Sequence, residues 1–162
     1  MAQHQRDPQP PRGFSAFLYR LPIGLYRIGL GWLFGARFVL INHVGRRSGK
    51  LRRAVVEIVD KDRKADRYVV VSAWGEKAQW YQNIVQHPDV TIQVGARRID
   101  AHARLMPVDE ARQTLIDYVA RYPKLAPELM RAVGYTYDGT PEGFADLARD
   151  KMRLVEFPPR PS

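Results

Sequence analysis

One short segment of the chain concentrates the residue types that bind anions. It runs from Gly45 to Arg53 and contains two glycines, a serine and no acidic residue, together with five cations: Arg46, Arg47, Lys50, Arg52 and Arg53. Glycine lets backbone N–H groups approach an anion, the Ser48 hydroxyl adds a donor, and arginine binds an oxyanion through two parallel hydrogen bonds. The segment is therefore a candidate phosphate or carboxylate site. The alternative is a solvated hairpin end whose charges serve solubility.

This basic turn differs from the two common nucleotide motifs. In a P-loop the Gly-Lys pair is followed by Ser or Thr, whereas Gly49-Lys50 is followed by Leu51. The dinucleotide fingerprint leads from a strand into a helix, whereas this turn connects two predicted strands. The turn alone therefore predicts an anion but does not identify it.

A second segment, Ser72 to Gly75, lies between a predicted strand and a predicted helix. A helix N-terminus presents free N–H groups and a partial positive charge, so loops at this position often hold ligands. Trp74 offers a flat apolar surface for an aromatic ring. On the helix, Trp80 is expected to face the core, while Asn83 either caps a backbone group or touches a ligand.

Few side chains indicate acid–base, nucleophilic or metal chemistry. The sequence has no Cys, which excludes thiolate metal sites and Cys nucleophiles. It also has no Ser-His-Asp spacing and no paired metal histidines. His43, beside the basic turn, is a weak catalytic candidate, with a locally bonded strand residue as the favoured interpretation. His87 is expected to end a helix before Pro88, and His102 to face solvent.

The predicted elements place both segments at the ends of strands. Residues 1–12 are polar and Pro-rich and are expected to be a disordered tail, with a single domain over 13–160. Asp109 is a candidate N-cap. The pattern is typical of an α+β fold or a small barrel of five or six antiparallel strands. Strands are predicted at 37–44, 51–60, 67–72, 89–94, 97–106 and 152–157, and helices at 76–86, 109–121, 124–133 and 141–150.

The overall charge favours an anionic partner. Lys and Arg number 26 against 17 Asp and Glu, a formal charge of +9, which suits nucleic acid, anionic lipid or an anionic small molecule. No helix-turn-helix or aromatic strand motif supports nucleic acid. Residues 14–34 are apolar at helical spacing but are interrupted by arginines, so they are expected to cover the barrel or to lie on an anionic membrane. The expected location is the cytoplasm, with peripheral contact at the inner face of the cell membrane as an option.

Three segments in register resemble the deazaflavin-dependent nitroreductase family: Gly45–Arg52, Val69–Gly75, and Trp80–Ile84 with His87-Pro88. The similarity extends over about residues 38–106. It implies a split β-barrel related to barrels that bind flavin mononucleotide (FMN), with about six mainly antiparallel strands and flanking helices. It also implies the coenzyme 8-hydroxy-5-deazaflavin, F-420, which carries a phospholactyl–oligoglutamate tail.

The resemblance also implies roles for particular residues. The coenzyme tail would be bound by the basic turn, namely Arg46, Arg47, Ser48 and Arg52, with Lys50 and Arg53 as neighbours. The ring would be held by the following loop, namely Ser72, Ala73, Trp74 and Gly75. Trp80 and Asn83 match the helix motif of the family and would support the site.

The implied activity is hydride transfer from the reduced coenzyme to a quinone, a nitro compound or another activated double bond. The candidate substrate-side tyrosines are Tyr122, Tyr135 and Tyr137. Many members carry a proline near the position of Val55 or Val56, which this chain lacks. FMN is the second choice of cofactor. The alternatives are a non-catalytic cofactor- or lipid-binding barrel and a basic nucleic-acid-binding module.

Overall fold

A computed structural model describes residues 37–124, 127 and 134–161 of the chain. The predicted tail, the apolar segment 14–34 with its membrane contact, and most of the predicted helix 124–133 lie outside these residues. Within the described part, no helix is both long and apolar enough to cross a membrane. The strands are β1 (Phe38–Val44), β2 (Leu51–Asp62), β3 (Arg67–Ser72), β4 (Asp89–Val94), β5 (Arg97–His102), β6 (Arg104–Leu105) and β7 (Arg153–Phe157). The helices are α1 (Gln79–Gln86), α2 (Val108–Arg121) and α3 (Pro141–Lys151), with a 3-10 turn at Gly75–Lys77.

The strands form one antiparallel sheet in the order β5-β4-β1-β2-β3-β7-β6. The sheet curls until β5, at one edge, meets the residues that follow β7 near the other edge. Ala101 of β5 bridges Pro159, and the Arg160 N–H donates to the Asp100 carbonyl at 2.8 Å. These contacts close the sheet, as the predicted barrel requires.

The described sheet has seven strands, whereas the sequence analysis predicted about six. The predicted strand 97–106 divides at Ala103, because the chain changes partner there. Residues of β5 pair with β4, whereas β6 pairs with β7. The Ala103 N–H donates to the Pro88 carbonyl at 2.8 Å, one position beyond the last pair of the β4–β5 ladder. The predicted N-cap at Asp109 is also wrong, since Pro107 occupies that position and helix α2 begins at Val108.

Strand β3 lies between two hydrophobic cores. Tyr68 and Val70 point into the barrel, while Val69 and Val71 point toward helices α2 and α3. Alternating side chains of a strand face opposite sides of the sheet, so a strand buried on both sides is apolar throughout. The segment that leads into the Ser72–Gly75 loop is therefore held from both sides.

The helical layer contains a buried hydrogen bond between Tyr118 of α2 and Glu57 of β2. The Tyr118 hydroxyl donates to the Glu57 carboxylate at 2.7 Å, and the tyrosine side chain is only 1% exposed. Burial and the neighbouring carboxylate raise the pKa of Tyr118 well above its usual range.

We expect Tyr118→Phe to reduce the free energy of unfolding at pH 7 by about 1–3 kcal/mol, because Glu57 loses a buried donor. The native fold favours the protonated Tyr118 hydroxyl. This preference contributes its full stabilisation below about pH 10, where the unfolded chain also keeps the proton, and the stabilisation declines as the pH rises above that value. Urea denaturation at pH 7 to 11 should show a steeper decline in the native chain than in Tyr118→Phe. Tyr122→Phe, an exposed neighbour, is the control, and equal slopes for all three proteins would contradict the expectation.

Candidate functional site

The basic turn that joins β1 to β2 has a tightly bonded backbone. The Gly45 N–H donates to the Lys50 carbonyl at 2.8 Å, and the Gly49 N–H donates to the Gly45 carbonyl at 2.9 Å. Gly49 has a φ of +65°, which favours glycine, and a Cβ on Gly45 would lie 2.7 Å from the Ser48 Oγ. The backbone of the turn therefore favours glycine at position 49, and a side chain at position 45 would require the Ser48 hydroxyl to move.

Ser48 supports the same turn. Its Oγ accepts a hydrogen bond from the Lys50 N–H at 3.3 Å, and the hydroxyl hydrogen has no acceptor among the described residues. The hydroxyl hydrogen is thus available for donation to a ligand, and contact of Ser48 with an anion stays a prediction.

The cations of the turn do not all lie on one face. Arg52 is paired with His43 across the β1–β2 ladder, and Arg53 with Asn42. Because neighbouring residues of a strand point to opposite sides, Arg52 lies on the side of the barrel core and Arg53 on the side of helix α2. The Arg53 Nε donates to the Asn42 Oδ1 at 3.2 Å. The sequence analysis grouped all five cations, although the alternation of strand residues would have separated these two.

The turn also differs from the rest of the described surface in how its charges are paired. Arg47, Lys50 and Arg52 have no acidic partner among the described residues. Elsewhere in the described residues, most arginines lie within 4 Å of a carboxylate. These are Arg37, Arg67, Arg97, Arg104, Arg112, Arg121, Arg149, Arg153 and Arg160. Unopposed like charges repel one another and attract an anion. The turn thus clusters positive charge that no carboxylate of the described residues opposes.

Arg46 connects the turn to helix α1. Its backbone N–H donates to the Asn83 Oδ1 at 3.1 Å, and its Nη1 donates to the same oxygen at 3.0 Å. The same Nη1 donates to the Gln79 Oε1 at 3.0 Å. The basic turn and the N-terminal half of α1 therefore form one unit.

His43 completes this unit from strand β1. Its Nδ1 lies 3.1 Å from the Asn83 Nδ2, and both side chains are buried. Burial, with the positive charge of Arg52, lowers the pKa of His43 to about 4. The imidazole is neutral at pH 7, and the structure matches the interpretation of His43 as a locally bonded strand residue.

Trp80 lies on the same helix and packs against the barrel core. Its ring meets Tyr81 edge-on, with 6.1 Å between centroids. The side chain is half-buried, which agrees with the core position expected for it. His87 is the C-cap of α1, and His102 is exposed beside Asp89, both as predicted.

The Ser72–Gly75 loop is shaped by its own hydrogen bond and by helix α3. The buried Ser72 Oγ donates to the Gly75 carbonyl at 2.7 Å. Gly75 has a φ of +56°, and a Cβ there would lie 2.5 Å from the Lys151 carbonyl. Trp74 is half-buried and touches both hydrophobic cores, and Ala73 packs against the core beneath the helices. The loop is thus fixed, with part of the Trp74 ring left at the surface.

A cleft of about 190 Å³ opens beside Trp74. It brings together residues that are distant in the sequence, namely Glu76, Lys77, Tyr135, Asp150, Lys151 and Arg153. Of the three tyrosine candidates, Tyr135 lies in this cleft. Tyr137 instead packs edge-on against Phe144 at 5.6 Å, and Tyr122 lies against Tyr118 at 5.7 Å.

The basic residues of this cleft were not among the candidates predicted from the sequence. Arg153 reaches it because β7 pairs with β3, which places Arg153 opposite Ser72. Lys151 reaches it because α3 ends against Gly75. Pairing between segments so far apart leaves no local pattern in the sequence, so no motif could have shown it.

The basic turn and the Trp74 loop are close enough to serve one ligand. The turn reaches Gln79 through Arg46, and Trp74 precedes Gln79 by five residues. Five residues span at most about 18 Å when fully extended, and here part of the segment is a 3-10 turn. A long molecule with an aromatic ring and an anionic tail has the dimensions to contact both.

Comparison with known proteins gives the family of the chain. The family model for F420H(2)-dependent quinone reductase matches residues 24–128. The Mycobacterium tuberculosis protein Rv3178, whose name assigns it to these quinone reductases, is 36% identical over 87 residues, which cover 52% of this chain and 71% of Rv3178.

Solved structures show the same fold at low sequence identity. The conserved hypothetical protein Rv2991 from Mycobacterium tuberculosis gives a TM-score of 0.54 at 14% identity, covering 98% of this chain and 87% of that one. An FMN-binding protein from Nostoc punctiforme, related to pyridoxamine 5'-phosphate oxidase, gives 0.50 at 15% identity, covering 93% and 81%. The predicted split β-barrel is thereby confirmed. With the family match over residues 24–128, the chain belongs to the F420H(2)-dependent quinone reductase family, whose oxidoreductases use the deazaflavin coenzyme.

Proposed function

We propose that this chain transfers hydride from the reduced deazaflavin coenzyme to a small apolar quinone, with nitro compounds and other activated double bonds as further acceptors. The observation that carries the proposal is that the cationic turn, which has few acidic partners, lies beside the segment that follows the Trp74 loop. Arg46 of the turn donates to Gln79 of that segment. A coenzyme with an aromatic ring and a multiply charged tail uses both features.

The residues of the turn suit such a tail. Arg46, Arg47, Lys50 and Arg52 provide more cations than a single phosphate requires, and a phosphate followed by glutamates would use them. Arginine forks bind each oxyanion with two parallel hydrogen bonds, and Ser48 adds a hydroxyl donor. Arg53 lies on the other face and would contribute through its charge alone.

The cleft beside Trp74 is our candidate for the acceptor site. When bound, the reduced coenzyme supplies a hydride from a ring carbon. The cleft adjoins the exposed part of Trp74, which would provide an apolar surface for the coenzyme ring. A quinone that accepts hydride becomes a hydroquinone anion and then takes up one proton. Lys77 and Lys151 are among the residues that line the cleft, and their positive charges would stabilise the negative charge that develops on the quinone oxygen.

The coenzyme preference gives the first test. We expect the purified chain to quench deazaflavin fluorescence on titration and to bind FMN at least about tenfold more weakly, because FMN offers one phosphate and loses the charge-assisted contacts to the remaining cations. Equal or tighter binding of FMN would contradict the proposed role of the turn.

Turnover gives the second part of that test. The reduced coenzyme is mixed with a soluble naphthoquinone or a nitroaromatic compound, and the return of its oxidised absorbance is followed. Quinone-dependent oxidation supports the proposal. Tight coenzyme binding without oxidation by any acceptor would instead favour a non-catalytic barrel.

A further inference from the structure

Asn83 is a buried polar residue whose hydrogen-bonding groups are used within the protein. It is 5% exposed and contacts the basic turn on one side and strand β1 on the other. We infer that Asn83 and His43 are positioning residues that hold Arg46 for anion binding, with His43 acting as a neutral acceptor. This inference rests on the proposed function, since the anion it concerns is the coenzyme tail.

The direction of each hydrogen bond follows from the Asn83 amide. Its Oδ1 accepts from the Arg46 backbone N–H and from the Arg46 Nη1, so its Nδ2 must point toward His43. That Nδ2 donates at 3.1 Å to the His43 Nδ1. The Nδ1 therefore carries no hydrogen, and the imidazole is in the neutral Nε2–H tautomer.

The opposite amide orientation is disfavoured by Arg46. A flipped Asn83 would place its NH2 group against a backbone N–H and a guanidinium, so that donors would face donors. An acceptor at His43 makes the observed orientation the favourable one. The buried position of His43 and the charge of Arg52 keep its ring neutral and able to accept.

The bonds to α1 leave a defined edge of Arg46 for a ligand. Both hydrogens of Nη1 are used, one by Gln79 and one by Asn83. The Nε and Nη2 hydrogens have no acceptor among the described residues. These two N–H groups are parallel and form the edge of a guanidinium that binds an oxyanion in bidentate fashion. Asn83 and His43 thus decide where that edge points.

Two substitutions at His43, one with a hydrogen-bond acceptor and one without, test the inference. His43→Asn can keep a carbonyl oxygen near the position of Nδ1, whereas His43→Leu has no acceptor. We expect His43→Leu to raise the Kd for the deazaflavin coenzyme about tenfold, which is the effect of one lost buried hydrogen bond. His43→Asn keeps the acceptor, so we expect it to raise the Kd less than about threefold. Quinone-dependent kcat at saturating coenzyme should be unchanged in both variants, because His43 does not line the cleft.

Asn42→Leu is the matched control. It is the neighbouring residue of β1, and it supports Arg53 on the opposite face, so its Kd for the coenzyme should stay within about threefold of the native value. Equal Kd values for His43→Leu and the native chain would overturn the positioning role. A lower kcat with unchanged Kd would overturn it as well. Failure of the native chain to bind the coenzyme would instead contradict the proposed function.

A measurement on the native chain keeps the inference testable if His43→Leu does not fold. Nitrogen-15 NMR of the imidazole groups at pH 7 distinguishes the two neutral tautomers. We expect the His43 ring to carry its hydrogen on Nε2, both with and without coenzyme. A hydrogen on Nδ1 would overturn the inference, since Nδ1 could not then accept from Asn83.

Discussion

Replacing Arg46 and Arg52 together with alanine is expected to raise the Kd for the deazaflavin coenzyme about fiftyfold. Both side chains belong to the face of the turn that meets helix α1, and each would make a charge-assisted contact with the tail. Such a contact contributes about 1–1.5 kcal/mol after allowance for solvent exposure, and two of them correspond to roughly 30- to 150-fold. Fluorescence titration of the purified variant measures the change directly.

The control for this variant removes the same charge from other places. Arg53→Ala combined with Arg63→Ala also deletes two positive charges, but Arg53 lies on the opposite face of β2 and Arg63 lies in the turn between β2 and β3. We expect its Kd to stay within about threefold of the native value at 0.15 M salt, where distant charges are largely screened. If both double variants weaken binding equally, net charge governs affinity and the clamp is misassigned.

Gly75→Ala is expected to have the largest effect of any small substitution in the Trp74 loop. An alanine there adopts a left-handed backbone conformation, at a cost of about 1–2 kcal/mol. Its Cβ would also lie 2.5 Å from the Lys151 carbonyl, so helix α3 or the loop must move. We expect the free energy of unfolding to fall by about 3 kcal/mol or more and coenzyme binding to weaken with it.

Gly95→Ala separates these two causes. Gly95 has a φ of +59°, close to that of Gly75, but nothing lies within 4 Å of an added Cβ. Chemical denaturation should therefore show a loss of only about 1–2 kcal/mol for Gly95→Ala, with unchanged coenzyme affinity. Equal destabilisation in the two variants would mean that the contact between Gly75 and α3 is relaxed without cost.

Much of the fold could be predicted because its strands are joined by short connections. The β1–β2 and β4–β5 hairpins each combine an alternating apolar pattern with a glycine-containing turn, and strands β1, β2 and β4 agree with the structure within two residues. The strand predicted over 97–106 was less accurate. Its break at Ala103 is caused by a change of partner strand, which is a tertiary effect and not a local preference.

The candidate site could be predicted in part for the same reason. The basic turn and the Trp74 loop are continuous segments, so their residue types were visible together. Asn83 was expected to cap a backbone group or to touch a ligand, and it accepts from the Arg46 backbone N–H. The role of Ser72 was not visible, because its hydrogen bond runs to the Gly75 carbonyl within the protein. Trp74 and Tyr135 of the cleft were candidates, but its basic residues were not, since their position depends on the pairing of β3 with β7 and on the end of α3. Contact of the named residues with coenzyme stays a prediction.

The pairing of β3 with β7 also sets when the protein can fold during its synthesis. Tyr68 is aligned with Phe157, and the bridge to Pro159 closes the sheet. Contacts between such distant segments form slowly and only after both have left the ribosome. The Gly75 loop packs on Lys151, which is synthesised much later. The nascent chain can therefore form the basic turn before the loop reaches its final position. We therefore expect the coenzyme site to be completed late, after strand β7 has been translated.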